Sequence, residues 1–105
     1  MYAILSQQVT GATAINTTVN PGRQWKLDSI TLHLSAAGGS GILTISLDAA
    51  AGTAYDTVIL TQDMTLVTDL YFQPEQQINL KVGDGIKIAW ANAGGKTYGL
   101  EVNWL

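Results

Sequence analysis

Apolar and polar residues alternate with a period of two along most of this chain, and no 3.6-residue pattern persists beyond a couple of turns. The clearest stretch is C-terminal, where Tyr98, Leu100, Val102 and Trp104 alternate with Thr97, Gly99, Glu101 and Asn103. Successive side chains of a strand point to opposite sides, so this pattern predicts one face in a core and the other against water or a partner. Ile86, Ile88 and Trp90 alternate with Lys87 and Ala89 just before it. Between the two runs, Asn92-Ala93-Gly94-Gly95-Lys96 supplies residues that tolerate positive φ, so residues 85–105 predict a hairpin.

Upstream, Ile30, Leu32 and Leu34 alternate with Thr31, His33 and Ser35, whereas Trp25 and Leu27 are in the opposite phase. A one-residue slip exchanges the faces of a strand, so a bulge or bend is expected near Asp28-Ser29. Leu43, Ile45 and Leu47 form the next strand after the turn Ala36–Gly41. Thr57–Gln62 reads as a strand of ambiguous phase, and Met64, Leu66, Leu70 and Phe72 as another. Ile78 and Leu80 make a short strand running into Val82-Gly83-Asp84-Gly85, and Tyr2–Thr10 and Thr13–Val19 are weaker strands split at Gly11. Turn residues recur roughly every eight to twelve positions, the rhythm of an all-β sandwich or barrel. The expectation is a single all-β domain over residues 1–105, an antiparallel β-sandwich of eight or nine strands with jelly-roll or Greek-key connections. Residues 1–20 either belong to that sandwich or form an arm or exchanged strand.

Only 12% of the 105 residues are charged, against about 25% in an average soluble domain, and the net charge is −3. The five cations, Arg23, Lys26, Lys81, Lys87 and Lys96, are scattered, whereas nucleic-acid binding needs a concentrated cationic face. No nucleic-acid partner is expected. The first eight residues carry neither a basic leader nor a sustained apolar run, so no secretory signal and no membrane partner are expected. With no cysteine, disulfides, thiolate metal sites and cysteine nucleophiles are excluded together.

Candidate chemistry is sparse. The sole histidine, His33, sits mid-strand on the polar face, where a solvated or partner-packed side chain is the ordinary role. The acidic residues fall mostly in turns or on polar faces, and turn chemistry accounts for them without a catalytic carboxylate pair. Gly95-Lys96-Thr97 resembles the end of a phosphate-binding loop, but Trp90 occupies the position of the first glycine and a strand follows rather than a helix. Asn16-Thr17-Thr18 fits a glycosylation sequon without a secretory context. Neither histidine pairs nor an acidic loop of calcium spacing occurs, so no metal, cofactor or catalytic residue is expected. Among the aromatics, Trp90 and Trp104 keep phase with the core set, while Trp25, between Arg23 and Lys26 and out of phase with the core set of its own strand, is the first candidate among them for partial exposure. Trp25, Arg23, Tyr55 and His33 are the candidate interface or ligand contacts.

The run Thr68-Asp69-Leu70-Tyr71-Phe72-Gln73-Pro74, then Ile78–Ile88 and Tyr98–Trp104, resembles small β-sandwich virion proteins of tailed bacteriophages. The similarity spans about residues 25–105 in the style of strands and turns. It implies a non-enzymatic virion protein assembled in the host cytoplasm, which decorates or cements the capsid or sits at the neck or tail. Its partners would be other copies of itself and other virion proteins. The outward positions carry Thr, Ser and Ala where a monomer would carry charge, so the outer faces of residues 30–47 and 97–105 are expected to be partly covered by other subunits. The alternative from a different class is a carbohydrate-binding module that stacks sugars on Trp25 and loop tyrosines such as Tyr55.

Overall fold

The computed structural model describes residues 4–105, so Tyr2, placed above at the head of the first strand, lies outside the described residues. Nine strands follow in order: β1 (Leu5–Gly11), β2 (Ile15–Val19), β3 (Trp25–Leu34), β4 (Ile42–Asp48), β5 (Thr57–Asp63), β6 (Asp69–Phe72), β7 (Ile78–Leu80), β8 (Gly85–Trp90) and β9 (Tyr98–Trp104). They form two antiparallel sheets. One has the order β1-β9-β3-β6, with the short β7 beside the first half of β3 and β6 beside its second half. The other has the order β2-β8-β4-β5. The pairings β1–β9, β2–β8, β3 with β6 and β7, and β4–β5 are those of one long hairpin wound around a core, its tip between β4 and β5. This is the jelly-roll form of the expected β-sandwich.

The core is built from the inward phase of β2, β3, β4, β8 and β9: Ile15 and Val19, Trp25 to Leu34, Leu43 and Ile45, Ile86 to Trp90, and Tyr98 to Trp104. The expected irregularity in β3 is present. Its register against β9 shifts between Leu27 and Ser29, leaving Asp28 as the extra residue. That bulge also corrects the expectation for Trp25. It absorbs the phase slip, so both halves of β3 turn the same way, and Trp25 is 2% exposed, with its ring edge-on to Trp104 at 6.0 Å.

Two other expectations are corrected. Residues 85–105 are not a hairpin: β8 pairs with β2 and β4 in one sheet, and β9 with β1 and β3 in the other. Both strands present their alternating apolar residues to the same core, but from opposite sides, and the connection 91–97 crosses the sandwich. Asn92 holds that crossing. Its φ is +49°, its amide donates to the carbonyls of Thr13 and Lys96 at 2.9 Å each, and its side-chain oxygen accepts from Lys96 N–H at 2.9 Å. The strand expected through Met64 and Leu66 starts only at Asp69. Residues 64–68 instead hydrogen-bond along the loop 38–41, through Gly38 N–H to the Val67 carbonyl and Met64 N–H to the Gly41 carbonyl, which buries Met64 and leaves Leu66 88% exposed. Gly38 permits this approach, because a Cβ there would lie 2.5 Å from the Met64 carbonyl oxygen.

The opposite end is held by Asp84. Its carboxylate accepts from Ala50 N–H at 2.9 Å and Lys81 N–H at 3.0 Å, and its carbonyl accepts from the Trp25 indole at 3.1 Å. The backbone donors, Ala50 first, hold its pKa below the ordinary aspartate value. Gly83 beside it, at φ +89°, makes the tight turn possible.

Candidate functional site

The two sheets expose two different surfaces. On the β2-β8-β4-β5 side, the register aligns two rows across all four strands. Thr18, Lys87, Ser46 and Val58 form one, and Asn16, Ala89, Thr44 and Thr61 the other. Between strand ends Lys87 is the charged member among these described residues, while Asp48 and Asp63 stand at the ends of β4 and β5. Ile42 and Val58 add exposed apolar surface, and β5 is an edge strand.

The β1-β9-β3-β6 side is polar and grooved. One row runs Thr10, Gly99, His33, Asp69, and the next Gln8, Glu101, Thr31, Tyr71. A third contains Ser6, Asn103 and Ser29, with the Asn103 amide donating to the Ser29 hydroxyl at 3.2 Å. Two adjoining depressions, about 550 and 330 Å³, meet over Thr31 and Gly99. His33 Nδ1 pairs with Asp69 Oδ1, and Gln8 donates to Glu101 Oε2 at 2.6 Å. Each pair thus engages one carboxylate oxygen and leaves the other outside that bond. The His33 and Asp69 side chains are 71% and 72% exposed, so water screens the pair. As neighbours the pair has Thr31 and Tyr71, an alcohol and a phenol that can each donate and accept hydrogen bonds.

The candidate residues are therefore dispersed. His33 lies in the groove. Arg23 is exposed in the β2–β3 connection, and Tyr55, 65% exposed, is on the short 3-10 turn Thr53–Tyr55 between β4 and β5. Trp25 forms part of the wall of a third depression of about 510 Å³ with Gln24, Lys26, Gln77, Asn79 and Leu105, but its own surface is almost wholly covered. A sugar platform made of Trp25 and Tyr55 is not assembled. Gln8, Asp69, Tyr71, Gly99 and Glu101 were not among the candidates. Their outward phase is readable from the alternation, but their meeting with His33 depends on which strands are neighbours. Among the described residues, no three His, Asp or Glu side chains converge as a metal site requires.

No family model matches the chain, and no curated protein matches it. Among solved structures it is similar to the Yersinia pseudotuberculosis-derived mitogen, with a TM-score of 0.52 at 14% identity, covering 98% of this chain and 86% of that one. A family 16 carbohydrate-binding module gives a TM-score of 0.46 at 11% identity, covering 93% of this chain and 74% of that one. At such identity the likeness to the mitogen shows the shared β-sandwich fold and nothing of function.

Proposed function

We propose that this protein is a non-enzymatic structural component of a tailed-phage virion, a capsid-decoration or accessory head or neck protein that acts by burying the β2-β8-β4-β5 face against other subunits. One observation carries the assembly part of this reading. Two four-residue rows of an open sheet face hold a single charged side chain, where a solvated face would be laced with both signs. Charge depletion is the compositional mark of interface centres. The broad side of the molecule, 36 × 34 Å, has room for the roughly 800 Å² per partner of a standard interface. The virion part rests on the resemblance of residues 25–105 to small phage sandwich proteins.

The stretches expected to be covered by partners, 30–47 and 97–105, are spread over both sides of the sandwich. Positions 42–47 belong to this face, and 30–35 and 97–105 to the grooved one. A single docking event covers only the first. The test mixes purified protein with undecorated capsids and measures bound stoichiometry, with Thr18→Glu and Val58→Lys as variants at exposed positions. Saturable, stoichiometric binding that both variants abolish while keeping their circular dichroism is the expected result. No capsid binding at micromolar concentration, or binding indifferent to both substitutions, would overturn the reading.

A further inference from the structure

We propose that the grooved outer face of the β1-β9-β3-β6 sheet is a binding site for a neutral oligosaccharide, centred over Gly99. This does not rest on the virion reading, since it concerns the opposite face of the sandwich.

The starting observation is a glycine that the fold does not require. β9 is an interior strand, flanked by β1 and β3, and glycine there forfeits both side-chain packing and backbone rigidity. Gly38 and Gly85 are hemmed in by neighbouring atoms, and Gly83 needs positive φ. Gly99 has neither reason: its backbone is not in the left-handed region, and a Cβ built on it meets no atom within 4 Å. The missing side chain therefore leaves open space, at the point where the two depressions join. A bare strand position beneath a groove lets a ligand approach the backbone closely.

The groups around that opening identify the ligand class. Thr10 and His33 flank Gly99 along its row, and Glu101, Thr31 and Gln8 stand one row away. Glu101 and Asp69 each keep an oxygen free to accept, and the Nδ1 contact to Asp69 leaves His33 Nε2 for a second partner. Such planar, oriented groups match the paired hydroxyls of a sugar ring, which donate and accept from adjacent carbons. Tyr71, 63% exposed at the β6 end, offers a π face whose negative potential suits the polarised C–H face of a pyranose. The four strands span about 14 Å, enough for about two or three rings. The two depressions are open grooves rather than enclosed cavities, a form that admits an extended chain lying across the strands. Charge selects among saccharides. Both rows carry carboxylates, from Asp69 and Glu101, and neither carries Lys or Arg, so sulfated, sialylated and uronic acid chains meet repulsion.

The test is an amide chemical-shift titration of the intact chain with neutral gluco-, galacto-, manno- and xylo-oligosaccharides of two to four units, and with sialyllactose and oligogalacturonate as anionic probes. At least one neutral probe is expected to give saturable shifts at Thr10, Thr31, Gly99 and Glu101. Tyr71→Ala should weaken that binding at least tenfold. Gly99→Val, which fills the groove with a residue suited to strands, should abolish binding while its thermal midpoint stays at or above that of the parent chain. The proposal is overturned if no neutral probe shifts these amides at tens of millimolar, if the shifts map elsewhere, if the anionic probes bind as well, or if Gly99→Val binds normally. Concentration-dependent shifts at these amides without sugar would mark a protein interface and overturn it too. Loss of capsid binding in Val58→Lys with sugar binding retained separates this site from the docking face.

Discussion

Replacing Asn92 tests what holds the β8–β9 crossing together. Asn92 is 4% exposed, and its side chain makes three hydrogen bonds of 2.9 Å, to the Thr13 carbonyl, the Lys96 carbonyl and the Lys96 N–H. Each is worth about 1 kcal/mol net, and truncation leaves its partner short of a bond, so Asn92→Ala loses about 3 kcal/mol from this source. The φ of +49° adds about 1 kcal/mol, because alanine is strained in the left-handed region that asparagine tolerates. The total of about 4 kcal/mol is a large part of the 5–15 kcal/mol typical of a domain. At about 4–8 °C per kcal/mol it corresponds to a fall of roughly 15–30 °C in Tm. Asn92→Gly loses the same bonds without the strain and should recover about 1 kcal/mol relative to alanine. In Asn92→Asp the carboxylate faces two carbonyls, so its pKa is raised in the folded state. That variant should be least stable at neutral pH and regain stability as pH falls through the raised value. Urea denaturation followed by tryptophan fluorescence measures all three. If Asn92→Ala and Asn92→Gly each lose less than about 1 kcal/mol with an unchanged m-value, water replaces these bonds and the clamp is not what fixes the crossing.

Gly38→Ala forces a Cβ to 2.5 Å from the Met64 carbonyl and 3.0 Å from the Trp90 ring, so it should cost about 1–3 kcal/mol in denaturant titration; a neutral result would mean the 38–41 and 64–68 segments part easily. Asp84 and Asp63 have lowered pKa values, Asp84 through Ala50 and Lys81 N–H and Asp63 through the Thr65 hydroxyl and N–H. Their stabilisation is present above the unfolded value of about 3.9 and is lost as pH falls through the lower folded values. Asp84→Asn should therefore lower Tm at pH 7 and flatten its decline between pH 4 and pH 2, and an unchanged acid limb would refute the assignment. Trp25 donates its indole N–H to the Asp84 carbonyl, whereas the buried Trp104 N–H has no partner among the described residues. Trp25→Phe should consequently cost about 1 kcal/mol more than Trp104→Phe, and equal costs in urea titration would count against that difference.

The alternation of Ile30, Leu32 and Leu34, of Leu43 and Ile45, of Ile86, Ile88 and Trp90, and of Tyr98 to Trp104 identified the strands and most of the core, because side-chain phase is a local property of extended backbone. Even the β3 bulge was legible, as a phase slip at Asp28-Ser29. Its consequence for Trp25 was not. A bulge and an exposed residue leave the same mark in sequence, and only packing against Trp104 distinguishes them. The same ambiguity misplaced β8 and β9, since an apolar phase says that a residue faces the core without saying from which side. The candidate groove was half visible: His33, Asp69, Tyr71 and Glu101 all carry the outward phase, yet they come from three different strands.

An all-β chain, most of its turns and inward residues, and its poverty of charge follow from the order of neighbouring residues alone. Only the packed sandwich places β9 between β1 and β3, opens space above Gly99, and gives the central rows of one outer face Lys87 alone and those of the other Asp69 and Glu101. Strand pairing joins residues as distant as Gln8 and Glu101, and the stability of each pairing depends on how the whole core closes rather than on either segment.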